Sequence, residues 1–236
     1  MIMKILIVVT STSMYENGKL ETGLWLSEVT HIYHLAKEQS YDITIASTKG
    51  GNAPVDPESL KPIMLDKVTK GYWANNSFRE LLMHTKSLSE VLEQQFDCVY
   101  LAGGHGTMYD FPDDTRLQTI IRQQYENNKI ISAVCHGVGG LLNVKLSNGE
   151  YLIKDKTITG FNWFEESLAR RKKEVPFNLE AELKKRNSKY KKAFIPMTSK
   201  VLVDGNLITG QNPFSSKEIA KEVMRQLKNK NTSRNN

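Results

Sequence analysis

The chain has 236 residues, 39% of them hydrophobic and 25% charged, with 32 Lys and Arg against 26 Asp and Glu for a net charge of +6. That length supports one large α/β unit with a real core, and no apolar run nears the roughly 20 residues that a membrane helix needs. Two cysteines do not make a disulfide framework, and the apolar stretch Ile5 to Val9 is strand-sized rather than signal-peptide-like, so the expected compartment is a reducing cytoplasm.

In chain order, Lys4 to Thr10 is a short β-branched run that predicts a buried strand. Helical spacing of Trp25, Val29, Ile32 and Ala36 predicts a helix over 22–37, with Leu24, Glu28, His31 and Leu35 as the adjoining row. A second strand is expected at 42–46, before the turn-rich Lys49-Gly50-Gly51-Asn52-Ala53-Pro54. Residues 76–95 read as helix, 98–102 as a third strand, 114–125 as an amphipathic helix and 130–134 as a fourth strand, followed by a helix to about Leu146. Further on, 157–159 is a candidate strand, 163–190 looks helical, and 201–209 reads as a hairpin around Asp204-Gly205-Asn206. A last helix starts near Ser215 with Glu218 three residues on, and 229–236 is expected to be a disordered polar tail beyond a single domain over 1–228. Apolar strands alternating with helices are the signature of a parallel sheet covered on both faces.

The basic charge is local. Residues 170–192 carry ten Lys and Arg against Glu174, Glu180 and Glu182. Without interleaved aromatic binding residues, this segment reads as a solvated helical excursion rather than a nucleic-acid face.

Three segments carry chemistry. Ile130 to Gly140 runs from a buried strand into Cys135, His136 and three glycines, which predicts a strained strand-to-helix turn with the sulfur exposed next to a helix N-terminus. The pattern departs from the serine-hydrolase elbow, because Ala133 stands where the first glycine would be. Gly103-Gly104-His105-Gly106 follows the third strand, and an amide there, with that of His136, would make a two-donor oxyanion hole. Glu28, at the shoulder of the apolar stripe, is expected to be partly buried with a raised pKa. Glu165 or Glu166 would orient the His136 imidazole. His31, His34 and His84 lack ligand spacing, so no metal site is expected. Cys98, in a predicted central strand, is expected to be a packed core residue.

These segments, with Thr22-Gly23, Asp110-Phe111-Pro112, Thr159-Gly160-Phe161, Val175-Pro176-Phe177, Leu179-Glu180 and Thr209-Gly210-Gln211-Asn212-Pro213, stand in the order found in the DJ-1/PfpI superfamily. Over nearly its whole length the chain resembles the Hsp31-like, glutathione-independent glyoxalase (glyoxalase III) branch. The resemblance implies a flavodoxin-like three-layer sandwich with a mostly parallel central sheet and helices on both faces. It implies Cys135 as nucleophile, His136 as base, Glu166 as third member with Glu165 one residue off, Glu28 against the sulfur, and Gly104 and His136 at the oxyanion hole. It further implies a cytoplasmic homodimer without cofactor or metal, acting on methylglyoxal or glyoxal through a Cys hemithioacetal. The family is also credited with holdase protection of misfolded client proteins and repair of glycation adducts. A competing reading, from a different class, makes the chain mainly a stress chaperone or redox sensor, with Cys135 oxidised rather than turning over. The chain departs at Val138-Gly139-Gly140, in its longer basic stretch 170–173, and at Trp163-Phe164, expected to narrow the entrance. A glutamine amidotransferase would take its histidine from well downstream of the cysteine, and no histidine follows His136. A PfpI-like cysteine peptidase would use the same Cys-His pair in a higher oligomer.

Overall fold

A computed structural model describes residues 2–16 and 18–235, with the side chains of 233–235 excepted. Its elements run β1 (Lys4–Val9), α1 (Leu26–Glu38), β2 (Asp42–Ser47), α2 (Lys67–Ala74), α3 (Asn76–Met83), β3 (Lys86–Ser87), α4 (Leu88–Val91), β4 (Cys98–Leu101), α5 (Thr107–Asp110), α6 (Thr115–Glu126) and β5 (Ile130–Val134). Then follow β6 (Thr157–Ile158), α7 (Trp163–Leu168), α8 (Leu179–Lys185), β7 (Lys189–Tyr190), β8 (Val201–Asp204), β9 (Leu207–Gly210) and α9 (Ser216–Asn235). The main sheet has the order β3-β2-β1-β4-β5-β9-β8 and is parallel except for the β8–β9 hairpin.

Both faces of the sheet are buried, so its strands are apolar throughout. Ile5, Ile7 and Val9 of β1 pack with Val29 and Ile32 of α1 and Val223 of α9. Leu6 and Val8 point the other way, onto Leu88, Leu117 and Ile120. The period-2 alternation of a strand thus feeds two cores at once. Truncating one such fully buried leucine to alanine costs about 2–5 kcal/mol.

Several expected elements are shorter or divided. Helix α1 starts at Leu26, because the stretch before it is held extended: Leu24 N donates to Pro54 O at 2.8 Å and Trp25 N to Gly103 O at 2.9 Å. The helix expected over 76–95 breaks at His84, where Thr85 pairs with Gly51 in both directions and Lys86–Ser87 adds an edge strand to β2. Ser87 then starts α4 with a capping box to Glu90. The segment expected as one helix over 163–190 is two short helices with Asn162 and Asn178 as N-caps. The polar stretch expected to be a disordered tail is helical through Asn235, and Lys230 Nζ anchors it on Asn128 O at 2.8 Å; Asn236 lies outside the described residues.

The basic segment is absorbed locally. Lys184 and Lys192 pair with Glu180, Lys185 and Arg186 with Glu182, and Arg171 and Lys172 lie over the rings of Tyr15 and Trp163.

Candidate active site

The site lies at the C-terminal ends of β4 and β5, where ligands bind in open α/β sheets. As β5 ends, Cys135 takes φ 56°, and residues 135–141 continue as a tight 3₁₀ turn rather than the expected α-helix. A left-handed backbone at a non-glycine residue is strained, and strain of this kind concentrates at functional sites. It lets two neighbours in the chain face each other: Cys135 Sγ is 3.3 Å from His136 Nδ1. On its far side, His136 Nε2 is 2.8 Å from Glu166 Oε2. Among the described residues this is the relay Cys135–His136–Glu166, and its three members are almost wholly buried.

The choice between the two glutamates is geometric. Glu165 turns away from the histidine, and its Oε1 accepts from Met197 N, Gln211 Nε2 and Asn212 Nδ2, each at 2.8 Å. Glu165 therefore ties the 193–200 and 211–213 segments together, and Met197 lines the pocket.

Glu28 reaches the sulfur from α1. Its Oε2 accepts from Gly103 N at 2.6 Å, and its carboxyl interacts directly with the Cys135 thiol. Burial pushes its pKa up to about 8, against the pull of the Gly103 and Cys135 hydrogen bonds. Burial and the neighbouring Glu28 charge likewise push the Cys135 thiol well up, while the His136 backbone N–H, aimed at the sulfur, pulls it down. The two acids are coupled: a protonated Glu28 can donate to a thiolate, whereas two anions in this apolar site repel.

Gly104 sits beside them at φ 109°, and a Cβ there would lie 2.1 Å from Gly23 O, so only glycine fits. Asp110 holds the same loop to the sheet, with Oδ2 accepting from Thr10 Oγ1, Ser11 N and Thr48 Oγ1 at 2.7–2.9 Å.

One residue of the site was not singled out in the sequence. His105 Nε2 lies 2.8 Å from Glu166 Oε1, and its ring lies against that of His136, centroids 4.1 Å apart and planes tilted by 38°. Its only sequence signal is being the polar side chain inside a glycine run. The ring nitrogens of both histidines and a Glu166 oxygen lie within 4.8 Å of one another, but the two carboxylate oxygens already serve one imidazole each, which makes a self-satisfied hydrogen-bonded cluster. Burial pushes the Glu166 pKa up, yet the neighbouring His136 imidazole and the hydrogen bonds from His105 and His136 outweigh it and hold this carboxylate well below its usual range.

Cys135, His105 and His136 open into a pocket of about 60 Å³ walled by Trp25, Met64, Phe161, Met197, Pro213 and Phe214. One water needs roughly 10–15 Å³ by a similar measure, so the pocket suits a molecule of a few heavy atoms. A more open cleft of about 300 Å³, which includes the His31–Asp66 pair, shares Trp25, Met64, Pro213 and Phe214 with it. Trp163 and Phe164 line neither cavity, which corrects the expectation that they narrow the entrance: Trp163 packs against the second core and Phe164 is half exposed.

This fold and cysteine elbow define a class, and the comparisons with known proteins agree. The DJ-1/PfpI family profile matches residues 20–226, and the chain belongs to that family. It is 30% identical to Glyoxalase 3 of Candida albicans, over 94% of this chain and 97% of that one. The crystal structure of Candida albicans glyoxalase III superimposes with a TM-score of 0.84 at 29% identity, covering 94% of this chain and 96% of that one. The structure of Francisella tularensis Rapid Encystment Protein 24 kDa superimposes with a TM-score of 0.90 at 36% identity, covering 96% of this chain and 99% of that one. No helix among the described residues is long and apolar enough to cross a membrane.

Proposed function

We propose that the protein is a glutathione-independent glyoxalase that converts methylglyoxal, and by the same steps glyoxal, to the corresponding 2-hydroxy acid. The observation that carries this reading is the Cys135–His136–Glu166 relay, with Glu28 beside the sulfur, at a pocket sized for a molecule of a few heavy atoms.

The chemistry follows from the groups. His136 Nδ1 takes the Cys135 proton while the sulfur forms a bond to the aldehyde carbon, and the proton passes to the carbonyl oxygen to give a hemithioacetal. By the family resemblance, the amides of Gly104 and His136 would stabilise that oxygen as its charge develops. A base, His136 or the ionised Glu28, removes the proton from the former aldehyde carbon, and an enediol forms across the two carbons. Reprotonation at the neighbouring carbon leaves a thioester, so one carbon is oxidised as the other is reduced. Water then cleaves the S–C bond and releases D-lactate and the thiol. The net change is addition of one water, and electrons balance without an external acceptor.

The protein is further read as a cytoplasmic homodimer built of one domain over 1–228. A second reading, a redox-sensing stress holdase for misfolded clients, draws on the exposed Phe194 and Ile195. One assay separates the two: purified protein with methylglyoxal and no glutathione, scored for D-lactate, beside suppression of aggregation of a heat-denatured client. Turnover that persists in Cys135→Ala sinks the mechanism. Client protection without turnover in the wild type gives the second reading the field.

A further inference from the structure

Glu166 is held at both oxygens, and the relay uses only one of them. The torsion that turns a glutamate carboxylate is soft, so a single hydrogen bond from His136 leaves the carboxylate plane free to rock. We propose that His105 is a positioning residue: by donating from Nε2 to Glu166 Oε1 it fixes the carboxylate that dictates which nitrogen of His136 carries the proton. This rests on the reading of Cys135 and His136 as the reacting pair.

The geometry requires this division of protons. An ionised carboxylate only accepts, so each imidazole 2.8 Å from it must present N–H there. His136 then carries its proton on Nε2 and turns a bare Nδ1 toward the Cys135 thiol. His105 is itself clamped, with the His136 ring 4.1 Å away, the buried Tyr15 ring 5.6 Å away and Phe161 at 6.2 Å. Arg171 of the basic segment lies over Tyr15 at 5.8 Å and faces Glu58 at 3.9 Å, so that segment closes over this clamp. The charged or titratable groups acting on His105 are Glu166, His136 and Asp56; burial and then the neighbouring His136 imidazole lower its pKa, while Glu166 and Asp56 pull it the other way. It does not serve as the base, because its Nε2 is spent on Glu166 and it is His136 whose Nδ1 faces the Cys135 sulfur.

The test compares wild type, His105→Ala and His105→Gln in methylglyoxal turnover, in histidine ¹⁵N NMR and in the rate of Cys135 alkylation by iodoacetamide. His105→Ala lowers kcat about 10–100-fold, the usual cost of losing an orienting partner. KM stays within about two-fold, since a positioning loss falls on the reacting state rather than on binding. His136 becomes a mixture of tautomers and alkylation slows. His105→Gln restores most of each, because its amide N–H reaches the same oxygen. Wild-type spectra are expected to show a proton on Nε2 of both histidines, facing Glu166. A His105 proton on Nδ1, or an unchanged kcat and His136 tautomer in a folded His105→Ala, overturns the proposal. So does a folded His105→Gln that behaves as the alanine variant. Should His105→Ala fail to fold, the wild-type tautomer and the glutamine variant decide. A wild type without turnover refutes the glyoxalase reading, while the spectra and alkylation rates still judge His105.

Discussion

Cys135 Sγ and His136 Nδ1 lie 3.3 Å apart although they belong to consecutive residues. In a regular helix, neighbours point about 100° apart and do not meet. The left-handed φ of 56° at Cys135 folds the sulfur back over the next ring and aims the His136 amide at it as well. Backbone strain, thiol and base are one local device.

Removing either half disables it. Cys135→Ser and His136→Ala are each expected to lower D-lactate formation by about 10³-fold or more, as in other nucleophile–base pairs that act as a unit. The double variant is expected to be no worse than the poorer single one. Steady-state kinetics on the three proteins checks this, and additive losses would show that the residues act separately.

The two adjacent glutamates are expected to fail differently. Glu166→Gln keeps the fold but cannot accept from both imidazoles, so kcat falls at least about 10²-fold, as a misplaced histidine tautomer demands. Glu165→Ala strands three donors in a buried site, which costs about 3 kcal/mol or more of stability. Thermal melts and kinetics on both variants should give opposite rankings; the same ranking in both measurements contradicts the assignment.

Glu28 makes stability depend on pH. In the unfolded chain its carboxyl ionises near 4.5, whereas in the fold it keeps its proton to about 8. Between these values the folded state holds a proton that the unfolded state has released, so its contribution to stability is full below about 4.5 and is lost as the pH climbs to about 8. Glu28→Gln cannot ionise. Its Tm relative to wild type should therefore rise by several degrees between pH 5 and pH 8.5, the scale set by a few kcal/mol in a domain of this size. A gap that shrinks or stays level over that range refutes the buried-acid picture. Glu28→Ala, which also loses contact with the sulfur, should turn over poorly at every pH.

Cys98 supplies the control. It is fully buried in β4, and burial followed by the charge of Asp97 keeps its thiol firmly protonated. Cys98→Ala should leave kcat and KM unchanged and cost about 1–2 kcal/mol in chemical denaturation, as the loss of a small buried group does. Changed kinetics would bring a second thiol into the chemistry.

Much of this was legible in residue order. The β-branched runs bounded by polar residues announced β1, β2, β4 and β5, and apolarity on both faces announced the parallel sheet. Helical spacing put Glu28 beside a buried stripe and predicted partial burial; its side chain is fully buried. What misled was continuity: apolar spacing across 76–95 and 163–190 suggested single helices, but the open edge of β2 captured Lys86–Ser87, and asparagine caps reset the later segment into α7 and α8. The polar composition of 229–236 says nothing of the Lys230 contact with Asn128.

The sequence by itself determined the strand-to-turn placement of Cys135, the small and flexible loop at Gly103-Gly104, and the absence of a downstream histidine, because these are properties of neighbouring residues and of order along the chain. Only the tertiary structure decided between Glu165 and Glu166, which differ by one helical step of about 100° and so face opposite sets of partners. Only it brought His105 from the end of β4 onto the second oxygen of Glu166, across 61 residues of chain. A hydrogen bond between side chains that far apart leaves no period or spacing to read; it exists because β4 and β5 are neighbours in the sheet and α7 packs over their ends.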